Sequence, residues 1–205
     1  MVILGLTGSI GMGKTTAAAM LRRCGIPVHD ADATVHRLLG ARGAAVAAVE
    51  ASFPGVVRNG AVDRPALARR VFGDPVQLKR LEAILHPLVR RAERRFLARA
   101  TAAQAPVVVL DVPLLFETGA DRRCDATIVV SAPRFLQRAR VLRRPDMTPD
   151  RLAAIEARQM PDAEKRRRAD FVVRTGGDRR ATLRALIRIV KVMRRCAGCG
   201  CRGDA

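Results

Sequence analysis

The chain has 205 residues, enough for one α/β domain with a sizeable core and inserted subdomains. Apolar residues make up 49%, ordinary for a soluble globular protein, and no run approaches the roughly 18 consecutive apolar residues of a membrane span. With 38 Lys+Arg against 19 Asp+Glu the formal charge is +19, a field that draws polyanions, but scattered arginines and the lack of Trp and Tyr argue against nucleic acid.

"VILGLTG" is a short apolar run ending in glycine and reads as a buried strand. It runs into "GSIGMGKT": Gly8, four intervening residues, then Gly13-Lys14-Thr15, the full pattern of a phosphate-binding loop. Glycines 8, 11 and 13 let the backbone form a nest of inward N–H groups, and the helix starting near Lys14 adds its positive end. Lys14 is placed for the β- and γ-phosphates and the Thr15 hydroxyl for Mg²⁺, so the chain binds a nucleoside triphosphate. The N-terminus carries no basic region ahead of an apolar core, so no signal peptide is expected and the cytoplasm is the default.

The helix "KTTAAAMLRRCG" stops at Gly25. "IPVHDAD" is a second short strand that delivers Asp30 and Asp32 to the carboxyl edge of the sheet, where a carboxylate can orient or deprotonate an acceptor hydroxyl. One of the two instead caps the helix that follows, "ATVHRLL". From there to "RRFLARATAAQ" the pattern is helical, with breaks at "FPGVVRNGAVDRP" and "FGDP", and its length points to a helical insertion beside the sheet. Pro87 within "LEAILHPLV" predicts a kink or a helix boundary, and His86 before it reads by default as a satisfied core histidine.

"PVVVLDVPLLFE" returns to strand: Val107 to Leu110 precede Asp111, and Pro113 stops continuation. Asp111 resembles the strand-end carboxylate that holds magnesium through water in phosphate-loop proteins; the plainer alternative is a turn cap. "DATIVVSAP" and "DFVVRTG" are further strands, and such uninterrupted apolar strands between helices indicate a parallel sheet covered on both faces.

The arginine-rich segment between those strands reads as two or three helices broken at "RRPDMTP" and "MPD". Arg140 and Arg144, four apart, are expected on one helical face, where two guanidiniums clamp a transferring phosphoryl group and a closing lid excludes water. The final helix buries a stripe of Leu183, Leu186, Ile187, Val190 and Met193 and gives way to a frayed tail, "CAGCGCRGDA". Cys24 and Cys124 read as buried or half-buried small hydrophobes, whereas Cys196, Cys199 and Cys201 fall short of the four ligands of a closed zinc site.

"GLTGSIGMGKTT", "HDAD", "VDRPALARRVF", "LEAILHPLV", "LDVPLLFE", "RVLRRPDMT" and "RQMPDAEKRRRADFVV" resemble, in order and spacing, the motifs of the dephospho-coenzyme A kinase family, from Val2 to about Gly177. "LHP", "PLLFE" and Q-x-P-x-x-x-K are more specific than the loop. The resemblance implies a three-layer α/β/α P-loop fold with a parallel five-stranded sheet. Its nucleotide-binding core would take residues 1–33, 104–134 and 169–196, the helical acceptor-binding region 34–103, the lid 135–168 and the tail 197–205. It implies ATP-dependent phosphorylation of the ribose 3′-hydroxyl of dephospho-CoA with Mg²⁺, in the cytoplasm, by a monomer or weak homo-oligomer needing neither nucleic acid nor membrane.

By the same resemblance Gly8 and the run Gly11, Met12, Gly13, Lys14, Thr15 and Thr16 hold ATP phosphates, and Thr15 and Asp111 the metal. Arg140 is the lid arginine on the phosphates, with Arg144 the next along. Asp32 is the base at the acceptor hydroxyl with Asp30 beside it; Thr7, His86, Leu114, Leu115, Phe116 and Glu117 belong to the acceptor side. One departure stands out: Arg174-Thr175-Gly176 occupies the place where many relatives carry asparagine near adenine. Two rival readings remain open, a kinase for another small acceptor and an NTP-dependent nucleic-acid-binding protein; the first leaves "LHP" and "PLLFE" unexplained and the second rests on charge alone.

Overall fold

A computed structural model describes residues 1–199, and the chain divides into two compact units, Met1–His29 with the residues from Ala100 onward, and Asp30–Arg99. The first unit is built on the run of Val, Ile and Leu that the sequence supplies to β1 (Val2–Thr7), β5 (Val107–Asp111) and β6 (Ala126–Ser131), each buried along almost its full length. With β2 (Val28–Asp30) and β7 (Phe171–Arg174) they form one five-stranded sheet of order β2-β5-β1-β6-β7. The β1–β5, β1–β6 and β6–β7 pairings are all parallel.

Residues alternate between the faces of this sheet. Leu4, Leu6, Val109, Ile128 and Val130 point to a core shared with α1 (Lys14–Arg23) and α9 (Arg179–Cys199). From α9 this core takes Leu186, Ile189, Val190 and Met193; Leu183 and Ile187 are only half-buried. The opposite face carries the "PLLFE" turn, with Leu115 against Gly5, and α8 (Asp162–Arg168), where Asp162 accepts from Ser131 Oγ at 2.9 Å. The layers are therefore helix, sheet, helix. α1 ends as the sequence predicts: Gly25 N–H bonds to Arg22 O and Ile26 N–H to Leu21 O, a Schellman motif. Cys24 is the cap residue of that turn and is exposed, correcting the expectation that it is buried.

Three helices replace the crossover between β6 and β7: α6 (Arg134–Leu142), α7 (Pro149–Glu156) and α8. The break falls at "RRPDMTP", as expected, and it has a consequence for Arg144. α6 ends at Leu142, so Arg144 is exposed beyond the helix and does not share a helical face with Arg140. Pro145 disfavours the α conformation at the residue before it, which ends the periodicity that put the pair together. At the other end, α9 runs on through Cys199 rather than fraying at Cys196; Cys201 lies outside the described residues.

The second unit has its own core of Leu39, Val49, Phe53, Val56, Val62, Leu67, Leu81 and Leu85. Its helices are α2 (Ala31–Leu39), α3 (Val46–Ser52), α4 (Arg64–Val71) and α5 (Pro75–Ala102), the last running on into the first unit. Aspartates start three of them: Asp30 accepts from Ala33 N–H, Asp63 from Ala66 N–H, and Asp74 from Val76 and Gln77 N–H. The stretch read as an irregular break holds a hairpin of β3 (Val57–Arg58) and β4 (Ala61–Val62), closed by Asn59 and Gly60 at φ 52° and 74°. Pro87 makes no boundary: α5 passes through it, with Leu81, Ile84, Leu85 and Leu88 packed into the core on either side of the missing N–H.

Candidate active site

The phosphate loop spans the turn between β1 and α1, and its shape follows from two glycines. Gly13 caps α1 at φ 89°, and Gly11 stands at φ 77°, both in the left-handed region. A Cβ on Gly11 would lie 2.5 Å from Val141 Cγ2 and 3.0 Å from Gln137 O, so α6 itself lies against the loop. The first helical N–H groups of α1, with no intrahelical partners of their own, are left to face an anion.

Lys14 is the first residue of α1, and its Nζ lies 2.7 Å from Asp111 Oδ1 at the end of β5. Asp111 is 1% exposed. Thr15 is exposed and Thr16 half-buried on the same helical turn. Met12, expected at the phosphates, has a buried side chain: Sδ accepts from Ala132 N–H at 3.1 Å, and its carbonyl accepts from Thr175 Oγ1 at 2.6 Å. Thr175, where the resemblance implies asparagine, is thus a strut under the loop.

Arg140 reaches the loop from α6. Its Nη2 donates to Thr175 O at 2.8 Å and its Nη1 to Gly11 O at 3.5 Å, which ties α6, the loop and the segment after β7 to one guanidinium. Beside the loop opens a cavity of about 1080 Å³, bordered among others by Met12, Gln137, Arg174 and Gly176.

Several residues expected on the acceptor side make framework contacts. Thr7 is fully buried and its Oγ1 donates to Pro113 O at 2.9 Å. Leu115 and Phe116 are buried, which makes them packing residues; Leu114 stays exposed at 37%. Glu117 Oε1 pairs with Lys165 Nζ at 2.8 Å and accepts from Met160 N–H at 2.8 Å, while Lys165, with no exposed surface, also donates to Pro113 O at 3.4 Å. "PLLFE" and Q-x-P-x-x-x-K are therefore two halves of one lock: Pro161 caps α8 and Lys165 carries the charge that Glu117 answers.

In the second unit, Asp30 is the residue that caps α2, and Asp32 is exposed in the first turn of that helix, two residues past the end of β2. His86 is exposed on α5, not a core histidine. Sequence reasoning missed Gln137 and Gln159: Gln137 Nε2 donates to Ile10 O at 2.9 Å and Gln159 Oε1 accepts from Ile10 N–H at 3.0 Å. Only the Q of Q-x-P-x-x-x-K carried any signal for the second.

The parallel sheet, the glycine-shaped loop and the Lys14–Asp111 pair are the architecture of a P-loop nucleotide-binding protein. The sequence profile of dephospho-CoA kinase matches residues 2–180. Proteins named dephospho-CoA kinase from Paramagnetospirillum magneticum and Rhodospirillum rubrum are 70% identical over 166 residues and 63% over 186; these cover 81% and 90% of this chain and 78% and 88% of those proteins. A crystal structure from Thermus thermophilus superposes with a TM-score of 0.83 at 42% identity, covering 93% of this chain and 96% of that one. Dephospho-CoA kinase from Campylobacter jejuni shares the fold, with a TM-score of 0.64 at 20% identity over 93% of this chain and 96% of that one. The chain belongs to the dephospho-CoA kinase family, and it is a phosphotransferase of coenzyme A synthesis.

Proposed function

We propose that the enzyme transfers the γ-phosphoryl group of ATP in line to the ribose 3′-hydroxyl of dephospho-CoA, giving coenzyme A and ADP. The observation that carries this reading is the Lys14–Asp111 pair beside a loop that Arg140 ties to the segment after β7, in a chain of this family. Lys14 and the loop amides hold the β- and γ-phosphate oxygens, and the Arg140 guanidinium stabilises the charge that develops between donor and acceptor. Asp32, in the first turn of α2, orients or accepts the acceptor hydroxyl's proton, and Asp30 caps that helix beside it.

Thr15 and Asp111 offer an alcohol and a carboxylate, hard oxygen donors at the start of α1 and the end of β5, and such a pair suits Mg²⁺ with phosphate oxygens completing the shell. When bound, Mg²⁺ supplies charge neutralisation on the phosphates. Everything else in the transfer is positioning by the chain's own groups. The enzyme works on a small molecule, in the cytoplasm, as a monomer or weak homo-oligomer. The test is ADP release from ATP and Mg²⁺ with and without dephospho-CoA: release that requires dephospho-CoA supports the reading, and release indifferent to it removes the acceptor assignment.

A further inference from the structure

Ile10 lies between Gly8 and Gly11 of the loop and contributes nothing to the phosphate-loop signature, yet its backbone is gripped from two sides. Its N–H, on the peptide shared with Ser9, donates to Gln159 Oε1 at 3.0 Å. Its C=O, on the peptide shared with Gly11, accepts from Gln137 Nε2 at 2.9 Å. Holding both peptides that flank one Cα fixes φ and ψ of that residue, and so fixes the direction in which the chain enters Gly11 and the nest beyond it. The two glutamines come from different elements: Gln137 is buried on α6, and Gln159 is half-buried between the end of α7 and the start of α8.

We propose that Gln137 and Gln159 are positioning residues that set the phosphate loop for ATP by clamping Ile10, so that the loop is competent when α6 and the α7–α8 junction are both seated. The clamp has a polarity. Gln137 must donate and Gln159 must accept. Neighbouring contacts act in the same direction: Arg140 donates to Gly11 O, and Val141 sits where a side chain on Gly11 would be. The amide and carbonyl of Ile10 are spent on glutamines, which turns them away from the ligand and leaves the phosphates to the groups from Gly11 onward. The inference rests on the loop being the ATP site and is independent of the acceptor.

The test uses near-isosteric variants. Gln137→Met and Gln159→Met keep volume and remove the hydrogen bonds; Gln137→Glu and Gln159→Glu both add one negative charge, but only the second keeps the needed polarity. The expected result is that each Met variant raises the KM for ATP about tenfold with a smaller change in kcat, roughly one hydrogen bond's worth. Gln159→Glu then recovers most of what Gln159→Met loses, and Gln137→Glu recovers none of what Gln137→Met loses. The Gln137→Met/Gln159→Met pair is less than additive, because both act on one residue.

Calorimetric titration with ADP reads the same contrast with no acceptor present, which separates failure of the clamp from failure of the dephospho-CoA reading. Thermal unfolding midpoints identify any variant whose loss is one of stability, and for such a variant the ADP titration is repeated below its midpoint. The proposal is overturned if the two Glu variants bind alike, or if the Met variants bind ATP and ADP like the unmodified enzyme.

Discussion

Lys14 Nζ and Asp111 Oδ1 lie 2.7 Å apart, joining the first residue of α1 to the last residue of β5 across the sheet's carboxyl edge. An amine on a four-carbon stem is held by a carboxylate that is 1% exposed, so its direction is set before any ligand arrives. A buried carboxylate needs its partner as much as the lysine needs orientation. Asp111→Asn keeps the shape and a weaker hydrogen bond while removing the charge. Turnover is expected to fall about 10²–10³-fold, and Lys14→Ala to fall at least as far, with folding intact by circular dichroism. Near-normal turnover in Asp111→Asn would remove Asp111 from the machinery.

Asp30 and Asp32 look interchangeable in "HDAD", but Asp30 is the N-cap of α2 and Asp32 lies in its first turn. Asp30 Oδ1 accepts from Ala33 N–H at 2.9 Å, and Ser or Asn at that position still caps α2. Asp30→Ala is expected to lower stability by about 1 kcal/mol, and Asp30→Asn to restore it. Asp32→Asn is expected to leave stability within about 0.5 kcal/mol and to lower turnover by about 10²-fold or more. Denaturant titration and steady-state rates on the same four proteins separate the two roles. Equal kinetic losses at both positions would contradict them.

Lys165 has no exposed surface and pairs with Glu117, whose side chain is 17% exposed. Lys165→Met strands the carboxylate and is expected to destabilise the protein by about 3–5 kcal/mol, a fall in the unfolding midpoint on the order of 10 °C for a chain of this size. Adding Glu117→Gln removes the stranded charge and leaves an oxygen for Met160 N–H, so the double variant is expected to recover most of the loss. A double variant no more stable than Lys165→Met alone would show that the pair's charge is not what holds the two motifs together.

The donor loop was legible because its chemistry demands a fixed spacing: glycines for positive φ, then lysine and threonine at the start of a helix, all local in sequence. The sheet was legible for a similar reason, since strands buried on both faces read as unbroken runs such as Val107 to Leu110. What failed was long-range or a matter of competing local signals. "EKRRRA" gives four consecutive cations, and nothing in it says that Lys165 is the one turned into the core. Gln137 and Gln159 are neutral residues in a basic segment, and their partner is a backbone more than a hundred residues away. Asn59-Gly60 carries a hairpin signal, but its flanking strands have only two residues each, too short for an alternating pattern to show. The Arg140–Arg144 pairing failed because helical periodicity was extended up to a proline.

The Arg140 guanidinium bridges the loop and the segment after β7. A planar fork reaches two carbonyls at once and an ammonium does not. Arg140→Lys is therefore expected to resemble Arg140→Ala, each lowering kcat/KM for ATP about 10²-fold, whereas Arg144→Ala, beyond the end of α6, is expected to lose less. Rescue by lysine at position 140 would mean that charge alone suffices there.

The most direct measurement is product analysis after turnover of ATP, Mg²⁺ and dephospho-CoA, by mass spectrometry with phosphorus NMR to locate the added group. The expected product is dephospho-CoA heavier by one phosphoryl group, carried as a monoester on the ribose 3′-oxygen, with ADP formed in equal amount and about a hundredth of it or less in Asp32→Asn at matched times. ADP accompanied by free phosphate and unchanged dephospho-CoA, or a phosphate on another oxygen, would contradict the assignment of acceptor and base.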